Sequence, residues 1–388
     1  MKILHICLTG QFNENLSYQD NLITKYHSLA GNQVTIIAPP LQLKADGSGE
    51  EFVEPGEKMI NHNIKLIRLP YKHHLKFSLK FRTYVGLEKA LYEVAPDFIF
   101  IHGVQFLDIK IVAKYLKKHP QVRLVADNHA DYYNSASNWL SLNILHKIIW
   151  KNCAKSIEPF AEKFYGVKPI RCSFLKEVYN LPESKIELLP LGADDYRIKE
   201  LNVSGLKERI RSLYGINEDD FLVTTGGKLD AIKQTDLLLE AIAQLKDKYQ
   251  NLKLLYFGSV SSDLQDIFDK HTDGKTIINA EWKSTDEITE IFLASDLIVF
   301  PGRHSVLWEQ AIATQVPCVF KKYKGVEHVN VNNNCIFLSQ DSSKEVQNVI
   351  EELLNNKEKY NTLKDNSKIA ADYFSYSNIS RRAIEKIN

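Results

Sequence analysis

The chain has 388 residues, 44% hydrophobic and 25% charged, with 49 Lys plus Arg against 48 Asp plus Glu and a formal net charge of +1. This balance excludes a disordered chain, a collagen-like repeat and a disulfide-dense miniprotein, and the length calls for two or three domains. A chain that lives on nucleic-acid backbone usually carries a basic excess, so no nucleic-acid partner is expected.

From the start, Lys2 to Leu8 is an apolar run closed by Thr9-Gly10. It is too short for a signal peptide and lacks a small-residue cleavage site, so it reads as a buried first strand. A helix follows from about Ser17 to Ala30, with Leu22, Ile23, Tyr26 and Leu29 at helical spacing, and Gly31-Asn32 stops it. Strands are predicted at 33–38, 64–69, 97–102, 123–127 and 186–190, with a helix near 108–118. The pattern restarts at 221–225, which ends at Gly226-Gly227, and continues with a helix at 235–248 and strands at 252–257, 276–279, 297–300 and 317–320. Strands alternating with helices give an α/β fold of two Rossmann-like, doubly wound domains facing across a cleft. The boundaries read as 1–195 plus a terminal crossover helix at about 374–388, a linker at 196–220, and a second domain at 221–373. In such sheets ligands bind outside the carboxyl ends of the strands.

Five scattered cysteines, Cys7, Cys153, Cys172, Cys318 and Cys335, show no zinc or redox spacing. Buried free thiols in a reducing cytosol are expected. No stretch approaches the roughly 20 apolar residues of a membrane span. Two segments are basic with interleaved apolar residues: 71–82, with Lys72, His73, His74, Lys76, Lys80 and Arg82, and 137–151, with Trp139, Leu140, Ile148 and Trp150. Each fits an anionic membrane surface or a core-facing helix with a solvated basic side.

Two stretches carry chemistry. In Gly227-Lys228-Leu229-Asp230-Ala231-Ile232-Lys233, two cations bracket a strand-to-helix turn. Glycine lets backbone N–H groups approach an anion, and the lysines and helix start supply positive charge, which suits a diphosphate. In Phe300-Pro301-Gly302-Arg303-His304-Ser305-Val306-Leu307-Trp308-Glu309, a strand ends in a short polar loop. Ser305 is placed to cap the next helix, and Glu309, one turn in, could accept hydrogen bonds from a ribose diol.

In their order and spacing these stretches resemble the retaining glycosyltransferases of family four, which have the GT-B architecture. Gly227-Lys228-Leu229 with Lys233 resembles the family's Gly-Arg-Leu…Lys element. Residues 294–301 through Glu309-Gln310-Ala311 to 316–319 resemble its nucleotide-sugar signature, and 189–194 its passage out of the first domain. The chain departs in two places. Pro301 stands where the family carries the first of two glutamates, and Lys228 replaces an arginine, keeping charge but losing the bidentate fork.

The resemblance implies a cytoplasmic enzyme, peripheral at the inner face of the plasma membrane. It would move a sugar from a nucleotide-diphosphate sugar to a glycan or lipid-linked glycan in bacterial cell-surface polysaccharide assembly. No metal and no cofactor beyond the nucleotide-sugar co-substrate are expected. The implied catalytic residues are His129, Lys228 and Lys233. The donor set is Gly10, Gly227, Lys228, Lys233, Gly302, Arg303, His304, Ser305, Glu309 and Glu327. A GT-B sugar-nucleotide epimerase and a catalytically silent glycan-binding subunit are the rival readings.

Overall fold

The structure, a computed structural model, describes residues 1–14, 16–44 and 49–385. It divides into two compact units, Met1–Pro190 with Ile379–Asn388, and Leu191–Asn378.

The first unit holds β1 (Lys2–Ile6), β2 (Gln33–Ala38), β3 (Leu41–Leu43), β4 (Glu50–Phe52), β5 (Gly56–Ile60), β6 (Ile64–Arg68), β7 (Phe98–His102), β8 (Arg123–Asn128), β9 (Ala161–Gly166) and β10 (Ile186–Leu188). Eight of them form one sheet in the order β10-β9-β8-β7-β1-β2-β6-β5, and β3 and β4 pair separately. Pairing in the large sheet is parallel except for β5 against β6. Both faces are covered. Along β2 successive side chains alternate, Ile37 joining the core around Leu4, Ile6 and Ile101, and Ile36 joining the core around Phe12 and Leu66.

The second unit holds β11 (Phe221–Leu229), β12 (Leu252–Val260), β13 (Ile277–Asn279), β14 (Leu297–Phe300), β15 (Cys318–Lys321) and β16 (Cys335–Leu338), an all-parallel sheet in the order β13-β12-β11-β14-β15-β16. In β14, Leu297 and Val299 enter one core while Ile298 and Phe300 enter the other, so an unbroken apolar run serves both faces. These two doubly wound α/β units are the content of the GT-B architecture.

Several elements differ from the sequence reading. Residues 196–220, read as linker, contain two helices, Asp195–Leu201 and Leu206–Leu213, that belong to the second unit. Leu206 and Ile210 are buried in its core, and Arg211 bonds the carbonyls of Ala294 and Asp220. The strand at 221–225 runs on through Gly226-Gly227 to Leu229, because Gly227 pairs with Gly258 of β12. A Cβ on Gly258 would lie 1.9 Å from the Gly227 carbonyl oxygen, and both residues have positive φ. The chain end forms a helix, Tyr376–Ile384, with Ile379 and Ala383 buried. Among the described residues no helix is long and apolar enough to cross a membrane.

Candidate active site

In the second unit the loops after β11 and β14, adjacent strands, are knitted together. After β11 the chain makes a short 3-10 turn, Ala231–Lys233, passes Gln234 in the left-handed region, and enters the Thr235–Leu245 helix. The N–H of Arg303 donates to the Ile232 carbonyl at 2.9 Å. The Lys233 ammonium donates to the carbonyl of Arg303 at 2.8 Å and to that of His304 at 3.4 Å. Gly302 lies so close that a Cβ there would stand 2.2 Å from the Lys233 carbonyl group. Burial pushes the Lys233 pKa down, partly opposed by Asp230, with Arg303 adding to the fall. Two of its three protons point at carbonyls, which leaves one for an anion. Lys228 reaches outward, 78% exposed and 3.8 Å from the Asp230 carboxylate. Gly227 has φ +108, and a Cβ there would stand 3.0 Å from Leu307.

The helix after the β14 loop spans Leu307–Ala313, with Val306 at its N-cap and no side-chain cap. Ser305 therefore does not cap it through its hydroxyl; its carbonyl accepts from the N–H of Trp308 at 3.1 Å. With only seven residues this helix offers a weak positive end.

Glu309 is fully buried. Its Oε1 is 2.9 Å from His304 Nε2 and 3.2 Å from His328 Nε2. Its Oε2 is equally buried, with no hydrogen-bond partner among the described residues. Burial pushes the Glu309 pKa up, but His304 and His328 together outweigh it and hold the carboxyl well below its ordinary range. The result is a clamped carboxylate with one unused oxygen. His304, assigned to the donor sugar, points its ring inward at this clamp, and its backbone N–H donates to the Tyr323 hydroxyl at 2.8 Å. Glu327 is exposed, and its Oε2 accepts from the N–H of Gly325 at 2.8 Å.

His304, Glu309 and His328 could also hold a divalent cation, since their ligand atoms lie within 4.8 Å of one another. The second ring nitrogen of His328 is buried without a hydrogen-bond partner among the described residues, however. A metal-bound histidine normally anchors that nitrogen, so the set fits a carboxylate clamp better. Sequence reasoning missed His328; its only signal is its place beside Glu327.

In the first unit β1, β7 and β8 are neighbours and their carboxyl ends bring Thr9, Gly103 and His129 to one edge. His129 is 45% exposed and its Nε2 lies 3.5 Å from Asp127 Oδ2, whose side chain is fully buried. Burial raises the Asp127 pKa, but His129 and His102 outweigh that and hold it ionised. Asp127 Oδ1 accepts from the Gly103 N–H at 2.9 Å. Gly10 is exposed with open space around it, whereas Gly103 has φ +81 and a Cβ there would meet Thr9 at 2.9 Å. The close approach in this edge falls at Gly103.

Residues 207–370 match the family described as Glycosyl transferases group 1. Over this segment the chain is similar to the group 1 glycosyltransferases. The matched segment lies wholly in the second unit and contains both knitted loops and the Glu309 clamp. Among solved structures, Anabaena HepE in complex with UDP superposes with a TM-score of 0.67 at 16% identity, over 98% of each chain. A glycosyltransferase from Rickettsia africae gives 0.66 at 13% identity, over 98% of this chain and 96% of that one. A sucrose-phosphate synthase from Thermosynechococcus elongatus gives 0.65 at 15% identity, again over 98% and 96%. At these identities the similarity shows the shared fold. A comparison with curated protein sequences finds no match.

Proposed function

We propose that this glycosyltransferase moves a sugar, with retention and without a metal, from a nucleoside-diphosphate sugar to a glycan or lipid-linked hydroxyl acceptor. The observation that carries the reading is the pair of loops locked by Lys233, with Lys228 extended beside them. The loops present a fixed ammonium and an exposed one where a diphosphate would leave. HepE is described with bound UDP, and a uridine diphosphate sugar is accordingly the first donor to test. The orphan Oε2 of Glu309 suits a ribose hydroxyl, its other oxygen being fixed by two imidazoles.

In the reaction the bond from the sugar C1 to the phosphate oxygen breaks and the acceptor oxygen bonds C1 from the same face. The acceptor proton passes to the departing phosphate oxygen. No Asp or Glu lies between Pro301 and Trp308 to serve as a nucleophile, which supports same-face attack. Lys228 and Lys233 stabilise the developing phosphate charge, and this electrostatic contribution is the largest. His129, held by ionised Asp127, orients a hydroxyl.

The finer role is assembly of bacterial surface polysaccharide at the inner face of the plasma membrane. It is supported by an apolar and basic surface on the first unit. Leu75, Phe77, Leu79, Trp139, Leu140 and Ile148 are exposed. Lys76 and Lys80 lie among them, and the two segments meet where Phe81 faces Trp150 with ring centroids 6.4 Å apart.

Proton NMR of the chain with UDP-sugars tests the reaction. Slow donor hydrolysis, or transfer to an added glycan, is expected to release UDP with the α-anomer appearing first from an α-donor. Early β-anomer would overturn retention, and donors left intact under all conditions would favour the silent-subunit reading.

A further inference from the structure

β1 and β7 each carry one buried histidine among mainly apolar residues, His5 within β1 and His102 at the end of β7. A third buried histidine, His27, comes from the Gln19–Leu29 helix. The three form a chain. His27 Nε2 lies 2.9 Å from the carbonyl oxygen of Ser380, and His27 Nδ1 lies 3.0 Å from His5 Nε2. His5 Nδ1 lies 3.0 Å from His102 Nε2, and His102 Nδ1 lies 3.0 Å from Asp127 Oδ2. Ser380 sits on the terminal helix, which returns to this unit after the second one.

Proton counting constrains this chain. It has four links and three rings. Its ends are a carbonyl oxygen and an ionised carboxylate, and both can only accept. Each link needs one hydrogen, while three neutral imidazoles supply three. All four links form only when the chain holds a fourth proton, so that one ring is an imidazolium.

We propose that His27, His5 and His102 form a relay that holds one excess proton, with His102 the imidazolium facing Asp127, and that this proton ties the Ser380 segment to the His129 edge. In this state every ring donates through Nε2 and His102 also donates through Nδ1. The positive relay balances the negative Asp127, as a buried charge requires. Loss of the proton leaves three neutral rings. Keeping the strong bond to Asp127 then forces all three into the Nδ1–H form. The lone pair of His27 Nε2 now faces the Ser380 carbonyl, and that one bond is lost.

The surroundings agree with this placement. Burial pushes the His5 and His27 pKa values down, His27 to about 4, so both rings stay neutral. The remaining groups coupled to the relay are Asp20 on the Gln19–Leu29 helix, Cys7 on β1 and His129 beyond β8. Burial raises both Asp20 and Cys7, leaving Asp127 as the carboxylate in contact with the relay. Asp127 Oδ2 is shared by His102 and His129, so His5, His27 and His102 are positioning residues for His129. Any effect on turnover rests on the role proposed for His129; the proton count does not.

The test is long-range proton–nitrogen NMR of the full chain with nitrogen-15 histidine, comparing the wild type with His27→Gln and His27→Leu. In the wild type at pH 7, His102 is expected to be protonated on both nitrogens, with His5 and His27 in the Nε2–H form. Raising the pH is expected to remove the Nε2 proton of His102 and to switch His5 and His27 from the Nε2–H to the Nδ1–H form in the same step. The side-chain amide introduced by His27→Gln would donate to the Ser380 carbonyl and accept from His5, so that variant should keep His102 doubly protonated. His27→Leu leaves two links for two rings, so His102 should become neutral. The amides of 379–385 should then exchange about tenfold faster, the effect of one lost hydrogen bond. Three neutral rings in the wild type at pH 7, or identical His102 states in the two variants, would overturn the relay. If His27→Leu does not fold, the wild-type ring states decide the question alone.

Discussion

At the scale of single residues, the candidate chemistry sits on side chains whose neighbours define their charge. Glu309 is the clearest case. Its folded pKa is depressed, the pull of His304 and His328 exceeding the opposing effect of burial. A depressed carboxyl lends stability that is fully present above its unfolded value, near 4.5, and that is lost as pH falls below it. Glu309→Gln keeps the shape but places an amide where Oε2 has no partner, which should cost about 1–3 kcal/mol at neutral pH. The acid limb of the unfolding profile should also flatten between about pH 5 and 3 in that variant. Urea unfolding across this range checks both effects, and an unchanged acid limb would mean the clamp does not hold the carboxylate. Glu309 was legible in the sequence because it follows a strand and a polar loop among apolar neighbours. His328 was not legible, since only the return of the chain after β15 brings it to 3.2 Å from Glu309. His5 and His102 were hidden in the same way, each a single polar letter in an apolar run.

At the scale of elements, β11 to β15 of the second unit were legible because apolar burial writes them as continuous runs, whereas the edge strand β16 (Cys335–Leu338) was missed. β9 was missed because it carries Glu162 and Lys163 in its middle. Their partners, Arg123 on β8 at 2.7 Å and Glu187 on β10 at 3.5 Å, come from neighbouring strands that a local pattern does not show. β5 was missed because it is an edge strand with mostly exposed residues. The extension of β11 through two glycines escaped notice because glycine usually marks a strand end, and only the facing Gly258 makes the close pairing intelligible. The knitted loops yield an expectation of the same kind. In Gly302→Ala the new methyl must displace the Lys233 backbone, the 2.2 Å approach being far inside contact distance. Overpacking of this sort costs roughly 1–3 kcal/mol. Thermal unfolding should register that loss, and UDP affinity should fall with it. A variant with wild-type melting and affinity would show that the loops are not locked.

At the scale of the whole molecule, the segment that matches group 1 glycosyltransferases and the proposed donor loops lie in Leu191–Asn378, and the His129 edge and the apolar, basic surface lie in the unit built from the two chain ends. Linker and helix were confused at 196–220 because that stretch reads as polar: its first helix buries no residue, and its second buries only Leu206, Ile210 and Arg211. The surface account has its own consequence. Lys76→Glu with Lys80→Glu should reduce sedimentation with vesicles containing phosphatidylglycerol by about tenfold or more, at roughly 1 kcal/mol per cation removed, and should leave neutral vesicles unaffected. Equal binding to both vesicle types would remove the electrostatic part of that account. The most direct measurement of the central claim is a calorimetric titration of the full chain with UDP, repeated on Lys233→Ala and Lys228→Ala. A charged hydrogen bond contributes about 1.5–3 kcal/mol, so Lys233→Ala should weaken UDP by roughly 10- to 100-fold, and the more exposed Lys228 by less. UDP affinity unchanged in both variants would contradict a diphosphate site on the loops after β11 and β14.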